Sequence, residues 1–377
     1  MGLLALGRGS APVGLDIGNK TFRIAQLKPS AHKPILINYA SKDTPFGLVD
    51  EGEIADVDGV AKVLSDFWRE RKISEKKVVV GIANQKVIVR IIEMPYMTEA
   101  ELKSAIQFQV SDYIPIPIEE AIIDFQIISE RENDLQGKVM DVLVVAARKE
   151  MIERVIMALE KAGLRPVVID VSSFAFARAV MGDAPSLSFE DLDNPKATAM
   201  INVGSNLTDI VVMEDGIPRF TRISNFGSDI FVEALMEALG ISLDEAKDLA
   251  VRIGLPSRDV GDDPADVTPD MLSKVALVNT ILEQQMMKLV AEIRRSLDYY
   301  LVQAAKAKSI DKIILSGSGA NLRNFRQHLK RELQIEVELG HPLNNVQIGK
   351  NLRSADIVDD ELSLATCLGL AMRGLDL

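Results

Sequence analysis

Two glycines and a lysine-threonine pair near the start of the chain have the composition of a phosphate-binding loop. The stretch GLDIGNKT, residues 14–21, is a candidate P-loop, in which about four residues separate the glycines and a helix opens on the Lys-Thr pair. Only three residues separate Gly14 from Gly18, and the residues that follow, TFRIAQL, favour a β-strand over a helix. The stretch therefore predicts a strand, a glycine turn and a second strand.

The same arrangement occurs again in MINVGSNLTDIVVM, residues 200–213. A glycine directly after a strand lets the backbone approach a ligand closely, and successive turn amides form a concave nest for anionic oxygens. Two such hairpins facing each other would hold phosphate from both sides, although either one alone is what any β-hairpin looks like. The candidate nucleotide-binding residues of the two hairpins are Asp16, Gly18, Asn19, Lys20 and Thr21, and Asn202, Gly204, Ser205, Asn206 and Thr208.

Asp16 is the candidate metal residue, because a carboxylate at the end of a strand would hold a hydrated Mg²⁺ through water. A third glycine-rich element, IILSGSGANL, places Gly317, Ser318 and Gly319 between a predicted strand and a predicted helix over 320–333. Many strand-to-helix turns contain glycines, so this element alone is weak. The three elements in this order together predict a nucleotide site.

Strands and helices alternate around these elements. The segment TEAELKSAIQFQVSDY predicts a helix that begins with a capping box formed by Thr98 and Glu101. The prolines of IPIPIEE end that helix, and stretches rich in Pro, Asp and Ser at 182–195 and 257–270 predict loops. Mixed strands and helices in both halves indicate an α/β protein with two lobes.

Composition excludes several classes of protein. The chain has 377 residues, 43 basic and 55 acidic, with a net charge of -12 and no basic tract, which argues against nucleic acid as a partner. One cysteine, Cys367, and three histidines exclude a disulfide framework and make a metal cluster improbable. No apolar run approaches the roughly 18 residues that a membrane span needs, so we expect a cytoplasmic protein.

The order of the three glycine elements resembles the actin-like ATPase superfamily. Within it the chain is most similar to the PilM family of type IV pilus assembly proteins, relatives of the cell-division protein FtsA. The residues that carry this resemblance are EMPYMTEAELKSAIQFQVSDYIPIPIEEAIIDFQII (93–128), VVAARKEMIERVIMALEKAGLRPVVIDV (144–171) and LATCLGLAMRG (364–374). The resemblance implies ATP and Mg²⁺ as ligands.

The resemblance also implies a fold, an actin-like (ribonuclease H-like) two-lobed α/β fold with a small α/β subdomain inserted in the first lobe. The boundaries expected on this basis are the first part of subdomain IA at 1–94, the inserted subdomain IC at 95–169, a return to IA with an inter-lobe helix at 170–197, lobe II at 198–342, and a C-terminal helix that packs back between the lobes at 343–377.

Two departures from the superfamily pattern concern hydrolysis. The second hairpin usually begins with an aspartate, and here that place holds Asn202. The helix expected to contact the nucleoside normally offers a Glu and a Lys; Asp248 is the candidate for the acid, but Ala250 stands where the Lys is expected. We therefore expect nucleotide binding with weak or absent ATPase activity, and no catalytic residue is assigned.

The function implied is a cytoplasmic, ATP-bound scaffold that docks the N-terminal cytoplasmic tail of PilN, a bitopic inner-membrane protein. Other pilus platform proteins and the assembly ATPase are further implied partners, and the membrane would be reached only through a partner. Candidates for lining a tail-binding groove are Met94, Pro95, Leu102, Ile106, Phe108 and Ile114, with the alternative that they form the core of the inserted subdomain.

Two other functions fit the same fold. A sugar- or acetate-kinase-like phosphotransferase needs an acid near the substrate hydroxyl, and Asn202 argues against it. An FtsA-like filament former tethered to the membrane needs a basic amphipathic tail, which the ending GLAMRGLDL lacks.

Overall fold

The structure is a computed structural model that describes residues 11–133, 137–181, 197–256, 269–304, 307, 309–352 and 354–376. Residues 1–10, the predicted loop at 182–195 and most of the one at 257–270 lie outside the described residues.

Strands and helices alternate along the described chain. The strands are β1 (Val13–Ile17), β2 (Thr21–Lys28), β3 (Ile35–Asp43), β4 (Val49–Asp50), β5 (Glu53–Ile54), β6 (Lys77–Ile82), β7 (Ile88–Pro95), β8 (Ala121–Asn133), β9 (Gly137–Arg148), β10 (Arg165–Val171), β11 (Ala197–Val203), β12 (Thr208–Glu214), β13 (Ile217–Ser224), β14 (Ile310–Ser316), β15 (Glu336–Leu339) and β16 (Gln347–Ile348). The helices are α1 (Val57–Glu70), α2 (Glu99–Gln109), α3 (Lys149–Lys161), α4 (Ser172–Met181), α5 (Asp229–Leu239), α6 (Leu243–Ile253), α7 (Pro269–Gln303), α8 (Phe325–Leu333), α9 (Ser354–Asp359) and α10 (Ala365–Arg373).

The chain divides into two compact units. Unit 1 comprises Met1–Ala83, Glu153–Asp183 and His341–Leu377, and unit 2 comprises Asn84–Ile152 and Ala184–Gly340.

Unit 1 is built on a six-stranded sheet in the order β10-β6-β1-β2-β3-β16. Strands β1, β2 and β3 form an antiparallel meander, while β6 and β10 run parallel to β1. Helix α1 begins at the N-cap Asp56, whose carboxylate accepts a hydrogen bond from the Gly59 amide, and it buries Leu64, Phe67 and Trp68. The helical spacing of its apolar residues and the N-cap at Asp56 together determine where α1 begins.

Unit 2 contains a five-stranded sheet in the order β13-β12-β11-β14-β15. Strands β11, β12 and β13 form an antiparallel meander, and β14 and β15 continue in parallel. This is the topology of β1, β2, β3, β6 and β10 in unit 1. The prediction that both halves contain the same arrangement of a strand, a glycine turn and a second strand is therefore confirmed at the level of sheet topology.

A second, three-stranded antiparallel sheet in unit 2 has the order β7-β9-β8 and packs against α2. Helix α2 begins with the predicted capping box, in which Thr98 and Glu101 exchange hydrogen bonds. The sheet starts at Ile88, earlier than the expected subdomain boundary at residue 95, because β7 pairs along its length with β9. Strand β10, expected in the same subdomain, pairs instead with β6 of the six-stranded sheet.

Helix α10 closes unit 1 and is buried from Ala365 to Ala371. A Cβ at Gly369 would lie 1.7 Å from the Ala175 carbonyl oxygen of α4, and one at Gly14 would lie 2.3 Å from the Cys367 carbonyl oxygen. Both glycines therefore allow backbones to approach more closely than side chains permit. The C-terminal helix thus lies directly on the strand that carries Asp16.

Within the described residues, no helix has both the length and the apolar character that a membrane span requires.

Candidate functional site

The first glycine turn joins β1 to β2 in unit 1. The Gly18 amide donates to the Thr21 carbonyl across the turn, with N and O 3.2 Å apart. The loop after β3 supports it from outside: the Thr44 hydroxyl donates to the Gly18 carbonyl at 2.8 Å and the Thr44 amide to the Lys20 carbonyl at 2.9 Å. The Asn19 side chain accepts from the Gly52 amide at 3.1 Å. The turn is therefore fixed in position, and Lys20 is exposed beside it.

Asp16 lies at the end of β1, where the register pairs it with Arg23 of β2. Burial raises the pKa of the Asp16 carboxyl above its ordinary value, and the positive charge of Arg23 partly opposes that shift. A single carboxylate next to a glycine turn fits a hydrated Mg²⁺ bound through water. It does not fit a metal held by protein ligands alone, because the described residues contain no cluster of three His, Cys, Asp or Glu side chains.

The second glycine turn joins β11 to β12 in unit 2. The Gly204 amide donates to the Leu207 carbonyl at 2.9 Å. The turn carbonyls of Gly204 and Ser205 accept hydrogen bonds from the amides of Ser228 and Asp229, at the start of α5. The Thr208 hydroxyl donates to the Phe226 carbonyl at 2.6 Å. This turn is therefore held by the beginning of a helix.

Asn206 in this turn has an amide oxygen that is buried and has no hydrogen-bond partner within the described residues. A buried unsatisfied acceptor is costly, so such atoms usually meet a water or a ligand. Its position in the turn fits a ligand that supplies a donor, such as a hydroxyl or a metal-bound water.

Asp209 is a residue that sequence reasoning missed. The hairpin register pairs it with Asn202, and the Asn202 Nδ2 donates to Asp209 Oδ2 at 3.0 Å. Asp209 is only 4% exposed. The second hairpin therefore does contain a carboxylate, one strand across from the place where the superfamily pattern puts it. Once the turn was placed at 204–207, counting outward along the two strands would have found this pair.

The third glycine turn lies on the second. Gly317 has φ of +90°, and a Cβ there would lie 2.3 Å from the Val203 carbonyl oxygen and 2.8 Å from Asn202 Oδ1. A Cβ at Gly319 would lie 2.5 Å from Val203 Cγ1. Both glycines are thus needed for the packing of one turn on the other, and the second and third elements come together in unit 2.

The helix predicted directly after this turn begins later than expected. Residues Ser318–Asn321 form one 3₁₀ turn, and Asn324 has φ of +64°, so that α8 starts at Phe325. A left-handed residue interrupts an α-helix, which is why the two segments are separate.

Asp248, the candidate adenosine contact, lies exposed on α6 and pairs with Arg252 one turn later at 3.4 Å. The C-terminal end of α6 is joined to the segment after the third turn: the Leu255 amide donates to the Arg323 carbonyl at 3.0 Å, and Asn324 Nδ2 donates to the Leu255 carbonyl at 2.8 Å. The helix is therefore attached near the glycine turn, whereas the Asp248 carboxylate is held by a neighbour on its own helix.

Four of the six candidate groove residues lie inside the protein. The core between α2 and the three-stranded sheet contains Met94, Leu102, Ile106 and Ile114, each at most 6% exposed. This burial corresponds to the alternative reading, in which they form the core of the subdomain. Pro95 is exposed and Phe108 is 82% exposed, so these two residues carry the groove prediction.

Comparisons with known proteins agree with this architecture. The sequence profile of a family described as type IV pilus assembly protein PilM matches residues 14–262 and 273–375. A solved PilM-PilN type IV pilus biogenesis complex is 26% identical to the chain, with a TM-score of 0.78, and the match covers 97% of this chain and 98% of that one.

Two more distant structures show the fold alone. MreB5 of Spiroplasma citri bound to AMPPNP is 12% identical with a TM-score of 0.54, over 97% of this chain and 96% of that one. The ethanolamine utilization protein EutJ from Carboxydothermus hydrogenoformans is 14% identical with a TM-score of 0.54, over 97% and 90%. The predicted actin-like fold is thereby confirmed.

Proposed function

This chain belongs to the PilM family of type IV pilus assembly proteins, and from that premise we propose that it is an ATP-binding scaffold of the pilus assembly platform. In this proposal it works on the cytoplasmic side of the inner membrane. It docks the N-terminal cytoplasmic tail of a PilN-like bitopic membrane protein, which attaches it to the membrane.

The observation that supports ATP binding is the repeated glycine hairpin, which occurs at the same place in two sheets of one topology. Glycine turns after strands offer backbone amides to phosphate oxygens. Asp16 would hold Mg²⁺ through water, and the metal would supply the charge that neutralises the phosphates. Asn206 Oδ1 would accept a hydrogen bond from the ligand or its water shell.

We propose that ATP has a structural role and is not rapidly hydrolysed. Asn202 is uncharged, and its amide is committed to Asp209 by the 3.0 Å hydrogen bond. The Asp209 carboxylate is 4% exposed and accepts that bond through Oδ2. In this proposal it orients the Asn202 amide and does not activate water as a general base. Phosphate release at the rates common for enzymes, about 1 to 10³ s⁻¹, would contradict this part of the proposal.

The support for a PilN-like partner is the likeness to the PilM-PilN complex, which extends over nearly the whole of both chains. An extended tail would bind through pockets for alternate side chains and would lose conformational entropy on ordering. We place its contact at Pro95 and Phe108, the exposed members of the predicted groove.

Calorimetry on the full chain tests both halves of the proposal. Titration with Mg·ATP measures the nucleotide site, and titration with a peptide copying a PilN-type N-terminal tail measures the docking site, at about micromolar strength. Binding of the peptide without binding of ATP would remove the nucleotide from the proposal. Transfer of phosphate to a sugar or to acetate in a kinase screen would show that the protein is an enzyme.

A further inference from the structure

The loop between β3 and α1 presents an aromatic side chain to solvent. In this segment, residues 44–56 and here called the Phe46 loop, Phe46 is fully exposed, although phenylalanine is among the residues most often buried. A single exposed apolar side chain is common on protein surfaces and means little by itself. Two further observations concern Phe46: hydrogen bonds order the loop that presents it, and the same segment is rich in acidic residues.

The backbone on both sides of Phe46 is ordered by hydrogen bonds. The Leu48 amide donates to the Pro45 carbonyl at 3.4 Å, and Gly47 takes φ of +83°, which an L side chain rarely adopts. The Leu48 carbonyl accepts from the amides of Ala55 and Asp56 at 2.9 and 3.2 Å. A side chain presented by an ordered turn loses little entropy when it binds, which favours recognition.

The loop is also fixed to the first glycine turn. Thr44 donates from its hydroxyl to the Gly18 carbonyl and from its amide to the Lys20 carbonyl. Gly52 donates to the Asn19 side chain from the other end of the loop. Phe46 therefore projects from a base that the sheet of unit 1 holds in place.

The loop's own sequence carries charge of one sign, although Arg154 donates to the Ile54 and Ala55 carbonyls and Lys161 pairs with Asp58. Residues 43–58 contain six acidic residues and no lysine or arginine. Two of the acidic side chains, Asp43 and Asp50, are exposed and form no ion pair with the rest of the described chain. Two exposed carboxylates without an ion-pair partner repel anionic lipid headgroups and nucleic acid, and they attract a cationic segment.

We propose that the Phe46 loop is a docking surface for a cationic segment of a partner protein, in which Phe46 packs against an apolar side chain while Asp43 and Asp50 pair with lysine or arginine. The inference rests on Phe46, Asp43 and Asp50. None of these residues belongs to the proposed nucleotide site or to the candidate groove, although the loop is bonded to the first glycine turn.

Fluorescence anisotropy on the full chain with three labelled 12-residue probes tests the proposal. The probes alternate Lys with Leu, Lys with Ser, and Glu with Leu. We expect only the Lys-Leu probe to bind, and Phe46→Ser and Asp50→Lys each to raise its Kd by about tenfold or more. Thr44→Val, which removes the hydroxyl bond to Gly18, should raise the Kd less, because the loop then loses one of its supports.

Val302→Ser is the matched control, because it removes another exposed apolar side chain, on α7 of unit 2, and it should leave the Kd unchanged. Binding that survives Phe46→Ser, or equal binding of the Lys-Ser probe, would overturn the proposal by showing unspecific attraction to acidic surface. Cosedimentation with phosphatidylcholine vesicles containing phosphatidylglycerol, lost in Phe46→Ser, would assign the loop to lipid and also overturn it. Phe46 is fully exposed, so its replacement should leave the urea unfolding curve unchanged.

Discussion

The side-chain amide of Asn202 donates a 3.0 Å hydrogen bond to the carboxylate of Asp209, its neighbour across the β11-β12 hairpin. This pair sits beside the second glycine turn, and Asn202 Oδ1 is directed toward Gly317 of the third. The same side chain therefore bonds to the carboxylate on β12 and lies close to the glycine turn that follows β14. The uncharged residue at position 202 thus has a structural role in its own hairpin.

Removing the Asp209 carboxylate should destabilise the protein. Asp209→Ala leaves the Asn202 amide without its acceptor in a buried place, which costs about 1 to 3 kcal/mol. Asp209→Asn keeps an acceptor oxygen and should cost less. Urea denaturation measures both variants, and an unfolding midpoint for Asp209→Ala equal to that of the wild type would contradict the pairing.

Removing the Asp16 carboxylate should weaken binding of Mg·ATP. We expect Asp16→Ala to raise the Kd by about tenfold or more, which corresponds to about 1.4 kcal/mol, and the difference should disappear when a chelator removes Mg²⁺. Calorimetry measures the affinity, with the exposed Asp112→Ala as a control that should bind as the wild type does. Equal affinities for Asp16→Ala and wild type in Mg²⁺ would argue against this site.

Filling the second glycine turn should also weaken ATP binding. A Cβ at Gly204 would lie 3.0 Å from the Leu207 carbonyl oxygen, and the branched side chain of Gly204→Val would in addition block the approach of phosphate to the turn amides. We expect at least about a tenfold loss of affinity with retained circular dichroism. An unfolded variant would instead show that the glycine is needed for the hairpin itself.

Substitutions of buried and of exposed residues on α2, beside the three-stranded sheet, should have different effects. Leu102 is fully buried, so Leu102→Ala should lower the free energy of unfolding by about 2 to 5 kcal/mol. Phe108 is exposed, so Phe108→Ser should change the free energy of unfolding by less than about 0.5 kcal/mol. The same substitution should weaken binding of the PilN-type peptide. Urea denaturation and peptide titration on the same two proteins measure both effects. Unchanged peptide affinity in Phe108→Ser would remove this residue from the groove.

The single cysteine should be unreactive in the folded protein. Cys367 is fully buried in α10, and burial, with the nearby negative charge of Asp16, raises the pKa of its thiol. The thiolate is the reactive form, so a raised pKa and the lack of access both slow alkylation. Iodoacetamide at pH 8 should leave the native chain unmodified and should label it in urea. Rapid labelling without denaturant would show that α10 opens.

The charge network on the three-stranded sheet should contribute stability that depends on pH. Burial alone would raise the pKa of Asp141, but hydrogen bonds from Arg131 at 3.1 Å and from Ser129 at 2.9 Å outweigh it and lower the pKa. The pKa of Asp141 in the folded state lies below its pKa in the unfolded chain, which is about 3.9. The stabilisation is therefore present at neutral pH and is lost as the pH falls through the folded-state pKa. Asp141→Asn should therefore lower the melting temperature at pH 7, with a gap that narrows on acidification. A gap of constant size from pH 7 to pH 2 would contradict this assignment.

Local signals in the sequence predicted much of the fold. The capping box at Thr98 and Glu101, the two glycine hairpins and their repetition were all correct, because each depends on residues close together in the chain. The start of α8 was placed too early, since nothing in the sequence announced the left-handed Asn324. The partner of β7 was also missed, because an apolar strand can pair with any neighbour that offers free hydrogen-bonding groups.

By itself the sequence determined the glycine turns, the carboxylate at position 16 and the family, since turn chemistry and motif order are written along the chain. Only the tertiary structure decided that Asp209 holds Asn202, that Gly317 packs on Val203, and that Met94, Leu102, Ile106 and Ile114 form a core. The contacts of Gly317 and of the core join residues distant in sequence, whereas the Asn202–Asp209 pair depends on where the hairpin turn falls. Strand register and burial fix such contacts, and neither is set until the sheets have formed.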